Sequence, residues 1–220
     1  MELNNKIIHF LGDSITFGGG DGNNPNCFVH RIARMTGAVC NNYGVAGTRI
    51  APQYEPSEVP RRDLDFIRRL EEMESNADII VVFGGTNDFG HGDAPFGTDA
   101  DKTDKTFCGA VKVLYHKLLS RFPNALILIL TPMHRCGEDN VLGEGNKKVP
   151  GKPLKAYVEQ IRKTASAFGL PILDLYNEPA LDPNDDAVRK HCIPDGLHPN
   201  GAGHEIIANK ILAFLLEYQE

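Results

Sequence analysis

Four short segments of this 220-residue chain carry residues able to do chemistry together. They are Gly12-Asp13-Ser14, Asn42-Tyr43-Gly44-Val45-Ala46-Gly47, Gly84-Gly85-Thr86-Asn87-Asp88 and Asp195-Gly196-Leu197-His198-Pro199. A serine, a histidine, an aspartate and a set of amide donors are the parts needed for acyl transfer. A serine hydroxyl is a weak nucleophile until a base stands within hydrogen-bond reach. Of the five serines, only Ser14 follows an apolar run and sits between tight-turn residues; taken alone it would serve equally well as a helix N-cap. His198 is the candidate base. Asp195, three residues earlier on a turn with Gly196, can accept the proton of the other ring nitrogen and so hold the tautomer. The amides of Ser14 and Gly47 and the side chain of Asn87 are candidate donors to an oxyanion, although plain turn roles fit Gly47 and Asn87 nearly as well.

Such segments act together only if the fold brings them to one edge. The apolar runs 7–11, 39–43, 78–83, 125–130 and 171–175 are short, rich in Ile, Val and Leu, and lack polar alternation, as strands buried on both faces do. Between them lie stretches with helical spacing. Leu64, Ile67 and Leu70 form one stripe and Val111, Leu114, Leu118 and Phe122 a second. Leu154, Val158, Ile161 and Ala165 form a third, and Ile207, Ile211, Leu215 and Tyr218 a last one after the breakers Gly201 and Gly203. Strands alternating with helices predict an α/β fold with a parallel sheet covered on both sides. Ligands then sit outside the carboxyl ends of the strands, where all four segments would lie. Nothing marks a domain boundary, so residues 1–220 read as one domain.

Together the four segments resemble the SGNH, or GDSL-like, hydrolase family of serine esterases, lipases and acylhydrolases, in the family's block order and over almost the whole chain. The resemblance implies a flavodoxin-like three-layer α/β/α sandwich with a five-stranded parallel sheet. It implies Ser14 as nucleophile and oxyanion donor, Asn87 as a second donor, and Asp195 and His198 as the rest of a Ser-His-Asp triad. Gly47 is the third donor, with Gly44 as the alternative, because Ala46 stands where many members carry serine. No cofactor and no metal are expected, and Asp13 and Asp88 read as braces of their loops. The long connections 90–106 and 133–153 should rim the site and are polar, which suits a small-molecule ester of a polyhydroxylated alcohol better than a long acyl chain. The expected activity is hydrolysis of short acyl esters, acetyl above all, of a carbohydrate or similar alcohol. His134 and Arg135 are candidate contacts for a polar or anionic leaving group, and Tyr54, Phe89 or Phe96 would be the stacking surface in a chain without tryptophan. A thioesterase or lysophospholipase-type acylhydrolase is the nearest alternative.

Composition excludes other classes. A net charge of -6 argues against a nucleic-acid partner. A phospho-accepting receiver domain, or a non-catalytic binding module on the same sheet, would leave the Asp195–His198 pair unexplained. The five cysteines are scattered and read as free thiols. The apolar stretches are too short for a leader or a membrane span, so the expected setting is cytoplasmic and away from membranes. Gly18-Gly19-Gly20-Asp21-Gly22 matches no phosphate-binding pattern and reads as a loop beside Ser14.

Overall fold

The computed structural model describes residues 2–19 and 24–218; the Gly20-Asp21-Gly22 part of the glycine-rich loop lies outside them. Five strands, β1 (Ile7–Gly12), β2 (Val39–Gly44), β3 (Ile79–Phe83), β4 (Leu126–Leu130) and β5 (Ile172–Leu173), form one sheet in the order β2-β1-β3-β4-β5. All neighbours are parallel. This is the expected flavodoxin-like order, in which the chain turns in opposite directions from the centre and opens a crevice between β1 and β3. Register makes the crevice level: Gly12 pairs with Gly44 on one side and Phe83 on the other.

Helices α1 (Ser14–Phe17), α2 (Phe28–Thr36), α3 (Phe66–Arg69) and α4 (Thr86–Gly90) occupy the first half. The second half holds α5 (Phe107–Arg121), α6 (Leu154–Ala167), α7 (Asp186–Cys192) and α8 (Gly201–Glu217). Successive strand side chains point to opposite faces, and both faces are apolar here. Leu11, Ile80, Val82, Ile127 and Ile129 pack into one core with Phe66 of α3, Leu114 of α5 and Val158 of α6. Ile8, Phe10, Val81, Phe83 and Leu128 face a second core with Phe28 and Ile32 of α2 and Ile207 and Ile211 of α8. The lack of polar alternation in the central strands follows from these two cores. Among the described residues, no helix is long and apolar enough to cross a membrane.

The edges depart from expectation. Val39 at the start of β2 is 51% exposed, because an edge strand leaves part of itself to solvent. The run 171–175 contributes only Ile172 and Leu173 to the ladder. Asp174 then leaves the sheet to accept from Arg162 Nη2 (2.6 Å) and Thr131 Oγ1 (3.0 Å). The stripe from Leu64 becomes one short helix and a 3-10 turn (Leu70–Glu72), with Leu64 outside and exposed. Helices α2 and α7 are not among the expected stripes, although α2 buries Phe28, Val29 and Ile32 on one face. Gly201 and Gly203 lie inside α8, since Asn200 Oδ1 caps it by accepting from the Ala202 and Gly203 amides.

A buried cation ties the two strand ends that frame Ser14. Arg69, 4% exposed, donates to the carbonyls of Tyr43 (2.6 Å) and Gly12 (2.8 Å) and to Thr48 Oγ1 (3.0 Å). Burial pulls its guanidinium down to about 10, with Asp13 and Asp65 opposing, so it remains charged at neutral pH. Arg69→Met keeps the bulk and removes all three bonds. It should lower stability by about 3 kcal/mol, read as a shift of the urea midpoint; an unmoved midpoint would show that the carbonyls do not depend on the arginine.

Candidate active site

Ser14 owes its position to Gly12. A Cβ at residue 12 would stand 1.9 Å from Thr16 Oγ1, so only glycine lets β1 turn this tightly into α1. Asp13 caps that turn, its carboxylate accepting from the Ile15 amide at 3.0 Å. Ser14 therefore opens α1 at the carboxyl edge of the sheet, 8% exposed.

His198 comes from the opposite end of the chain, on the loop between α7 and α8. Its Nε2 lies 3.0 Å from Ser14 Oγ, and its Nδ1 lies 2.7 Å from Asp195 Oδ2. The other Asp195 oxygen accepts from the backbone amides of Leu197 (2.9 Å) and His198 (2.6 Å), so the carboxylate grips both the ring and its backbone. Partial burial works against ionised Asp195. The bonds from His198 and Leu197 outweigh it and hold the carboxyl below its ordinary range. With Nδ1–H donated to Asp195, Nε2 presents its lone pair to the serine hydroxyl.

The amide donors are assembled by side chains of α4. Asn87 Nδ2 donates to the Thr48 carbonyl (2.9 Å), and both Asp88 oxygens accept, from Ile50 N and Ala51 N at 2.9 Å each. These three bonds hold the loop after β2 beside the end of β3. Burial raises the Asp88 carboxyl, while the Ala51 and Ile50 amides resist. Gly47, at φ +79°, lines the same cleft as Ser14 and Asn87. The Gly44 amide is already donated to Asn42 Oδ1 at 2.8 Å, which makes Gly47 the better placed of the two glycines.

The cleft encloses about 440 Å³ and brings together Ser14, Gly47, Asn87, Arg135, Asp195 and His198. It does not include His134. That ring bonds Glu138 at 2.8 Å and lies against Tyr176 with centroids 3.8 Å apart, so it supports the loop and turns away from the cleft. Five further lining groups carried no signal in the sequence: Arg61, Arg62, His91, Cys136 and Glu144. The loop from β2 to α3 forms a rim that the sequence did not single out, and no local pattern marked it. Burial pulls the His91 ring well below its ordinary range. Its Nδ1 accepts from Arg49 Nη1 at 2.9 Å, which leaves the proton on Nε2. Across His91 lies a second cavity of about 300 Å³, with Tyr54 and Asp93 in its wall. Tyr54 is 54% exposed, whereas Phe89 is buried and Phe96 stacks on Phe107. Of the three aromatics expected as a sugar surface, Tyr54 alone offers a free face.

This geometry permits proton transfer from Ser14 to His198 with Asp195 fixing the ring, and amides of the surrounding loops can face a developing oxyanion. The model of the GDSL-like Lipase/Acylhydrolase family matches residues 10–206. Among solved structures, a Lactobacillus plantarum protein is 27% identical with a TM-score of 0.82, covering 99% of both chains. A GDSL-like lipase candidate from Bacteroides ovatus is 19% identical with a TM-score of 0.67, over 97% of this chain and 99% of its own. An acetyl xylan esterase, AlAXEase, is 21% identical with a TM-score of 0.60, over 94% and 98%. Among curated proteins, none matches the sequence significantly.

The buried cap Asp13 gives the site a pH signature. Burial pushes its carboxyl from 3.8 up to about 6, against the Ile15 bond and the nearby His198 and Arg69. The folded chain thus keeps a proton that the unfolded chain releases, and stability falls as pH rises through that window. Asp13→Asn keeps a cap for Ile15 and removes the titration. Relative to this variant, the wild type should lose about 3 kcal/mol between acid and neutral pH. Urea unfolding across the range measures the loss, and a constant difference would contradict it.

Proposed function

We propose that this chain, which belongs to the GDSL-like Lipase/Acylhydrolase family, is a serine esterase that removes short acyl groups, acetyl above all, from a carbohydrate or similar polar alcohol. The observation that carries the reading is the continuous relay from Ser14 Oγ through His198 to Asp195, with steps of 3.0 and 2.7 Å, inside a cleft lined mainly by polar side chains. In this mechanism His198 takes the Ser14 proton as Ser14 attacks the ester carbonyl. The amides of Ser14 and Gly47 and the Asn87 side chain hold the oxyanion. His198 then protonates the departing alcohol, and water activated by the same ring releases the acid.

The walls of the cleft support the substrate class. Guanidinium, carboxylate and imidazole groups surround the serine, and the open face of Tyr54 stands across His91. Fixed polar groups beside an exposed ring suit hydroxyl-rich alcohols. Among the residues that line the cleft, Leu197 is the one large aliphatic side chain. Arg135 is the polar contact of the original pair that remains in the cleft.

Hydrolysis of p-nitrophenyl acetate, butyrate and octanoate tests the reading. Turnover should fall with chain length, drop by at least about 10³-fold in Ser14→Ala, and survive a chelator. Preference for octanoate would overturn the polar-pocket assignment. Faster cleavage of an acyl thioester than of the matching oxygen ester would move the assignment to a thioesterase. Equal rates in wild type and Ser14→Ala would remove Ser14 as nucleophile.

A further inference from the structure

Three arginines line the cleft, and they are not equivalent. Arg135 is buried and engaged: Nη2 bonds Glu144 at 2.9 Å, Nη1 reaches the Thr86 carbonyl and hydroxyl at 3.3 Å, and the guanidinium lies over the Phe89 ring. Arg61 and Arg62 are exposed. Among the described residues, neither guanidinium has a carboxylate within ion-pair distance. The two carboxylates of the cleft have other primary partners, Asp195 on His198 and Glu144 on Arg135. Glu144 also feels Arg62 more weakly. Burial opposes its ionised form, while Arg135 first and Arg62 last hold the carboxyl down.

The pair is not on a loose loop. Both residues belong to the 3-10 turn Pro60–Asp63, whose backbone is pinned by Arg49 Nη2 on the Arg62 carbonyl (2.5 Å) and by Asp63 accepting from Ser57 N (3.0 Å) and Oγ (2.7 Å). The Arg62 stem crosses Gly47. A Cβ built there would stand 2.7 Å from Arg62 Cγ and 2.9 Å from Nε. One cation is thus held beside a candidate oxyanion donor, with the second adjacent in sequence. Charge at such a position selects among ligands. A chain of net charge -6 repels anions at long range, so two guanidinium groups without an ion-pair partner at the cleft form a local attractor set against the field of the whole. Planar guanidinium groups match carboxylate and phosphate oxygens two at a time.

We infer that the substrate carries a carboxylate or phosphate near its scissile ester, and that Arg61 and Arg62 read it. This rests on the esterase reading above and adds the charge of the substrate to it. Arg61 and Arg62 are specificity residues here, acting on substrate choice while Ser14 and His198 do the bond-making.

The test compares matched esters. p-Nitrophenyl hemisuccinate against p-nitrophenyl butyrate places the charge on the acyl half; 4-acetoxybenzoate against 4-acetoxybenzamide places it on the alcohol half. 4-Acetoxyphenyl phosphate distinguishes a phosphate reader from a carboxylate reader. The wild type should favour the anionic member of one pair in kcat/KM. In Arg61→Gln/Arg62→Gln that anionic-to-neutral ratio should fall about tenfold, and in the wild type it should shrink with added salt. Titration of Ser14→Ala with the same esters gives the comparison as Kd ratios, without turnover. Ratios near one in the wild type, or a preference that survives the double variant, would overturn the inference. Selective binding by Ser14→Ala without turnover of any ester by the wild type would keep the anion site and sink the esterase reading.

Discussion

The placement of β1 between β2 and β3 is the constraint on which the site depends. Parallel neighbours deliver their carboxyl ends to the same edge of the sheet, so the loops after β1, β2 and β3 emerge side by side. Level registers put the ends of all three strands at one height. The crevice at that switch point receives Ser14 from one strand, the Gly47 loop from the second and Asn87 from the third. None of these residues needs a long excursion to reach the others. His198 alone arrives from afar, carried by the loop ahead of α8, and α8 is anchored in the second core by Ile207, Ile211 and Leu215.

Precision at the edge comes from buried polar groups more than from apolar packing. Hydrophobic burial is non-directional and would tolerate the loops sliding over the sheet. Arg69 and Asp88 resist it, because each makes directional bonds to backbone atoms of a neighbouring segment. Desolvating these charges is unfavourable, and only well-made bonds offset it. The same reasoning explains Asp13, whose ionised form is disfavoured by burial at a position where an acceptor is needed for the Ile15 amide.

The electrostatic character of the cleft differs from that of the chain as a whole. Acidic residues outnumber Lys and Arg by 29 to 23 over the chain, yet the walls around Ser14 gather Arg61, Arg62 and Arg135 with Glu144 and Asp195. Neutral His91, donating away from Arg49, adds polarity without charge. The proposal of a small polar substrate rests on these charged and polar walls.

Much of this was legible in one dimension. Runs of β-branched and aliphatic residues without polar alternation announce strands covered on both faces, and that is a local property of the chain. The pairs Gly12–Ser14 and Asp195–His198 are short-range motifs, so their geometry is set within three residues and their chemistry could be read directly. What lies between segments could not. The Gly44 N–H is taken by Asn42, two residues before it, whereas Gly47 lines the cleft. His134 and Arg135 are neighbours in sequence, yet Glu138 and Tyr176 turn one ring aside while the other side chain enters the cleft. Arg61 and Arg62 carry no motif at all; a 3-10 turn braced by Arg49 and Asp63 delivers them to the rim. Local chemistry follows from residue type and spacing, whereas the company a side chain keeps depends on contacts between residues far apart along the chain, and only the folded molecule makes those contacts.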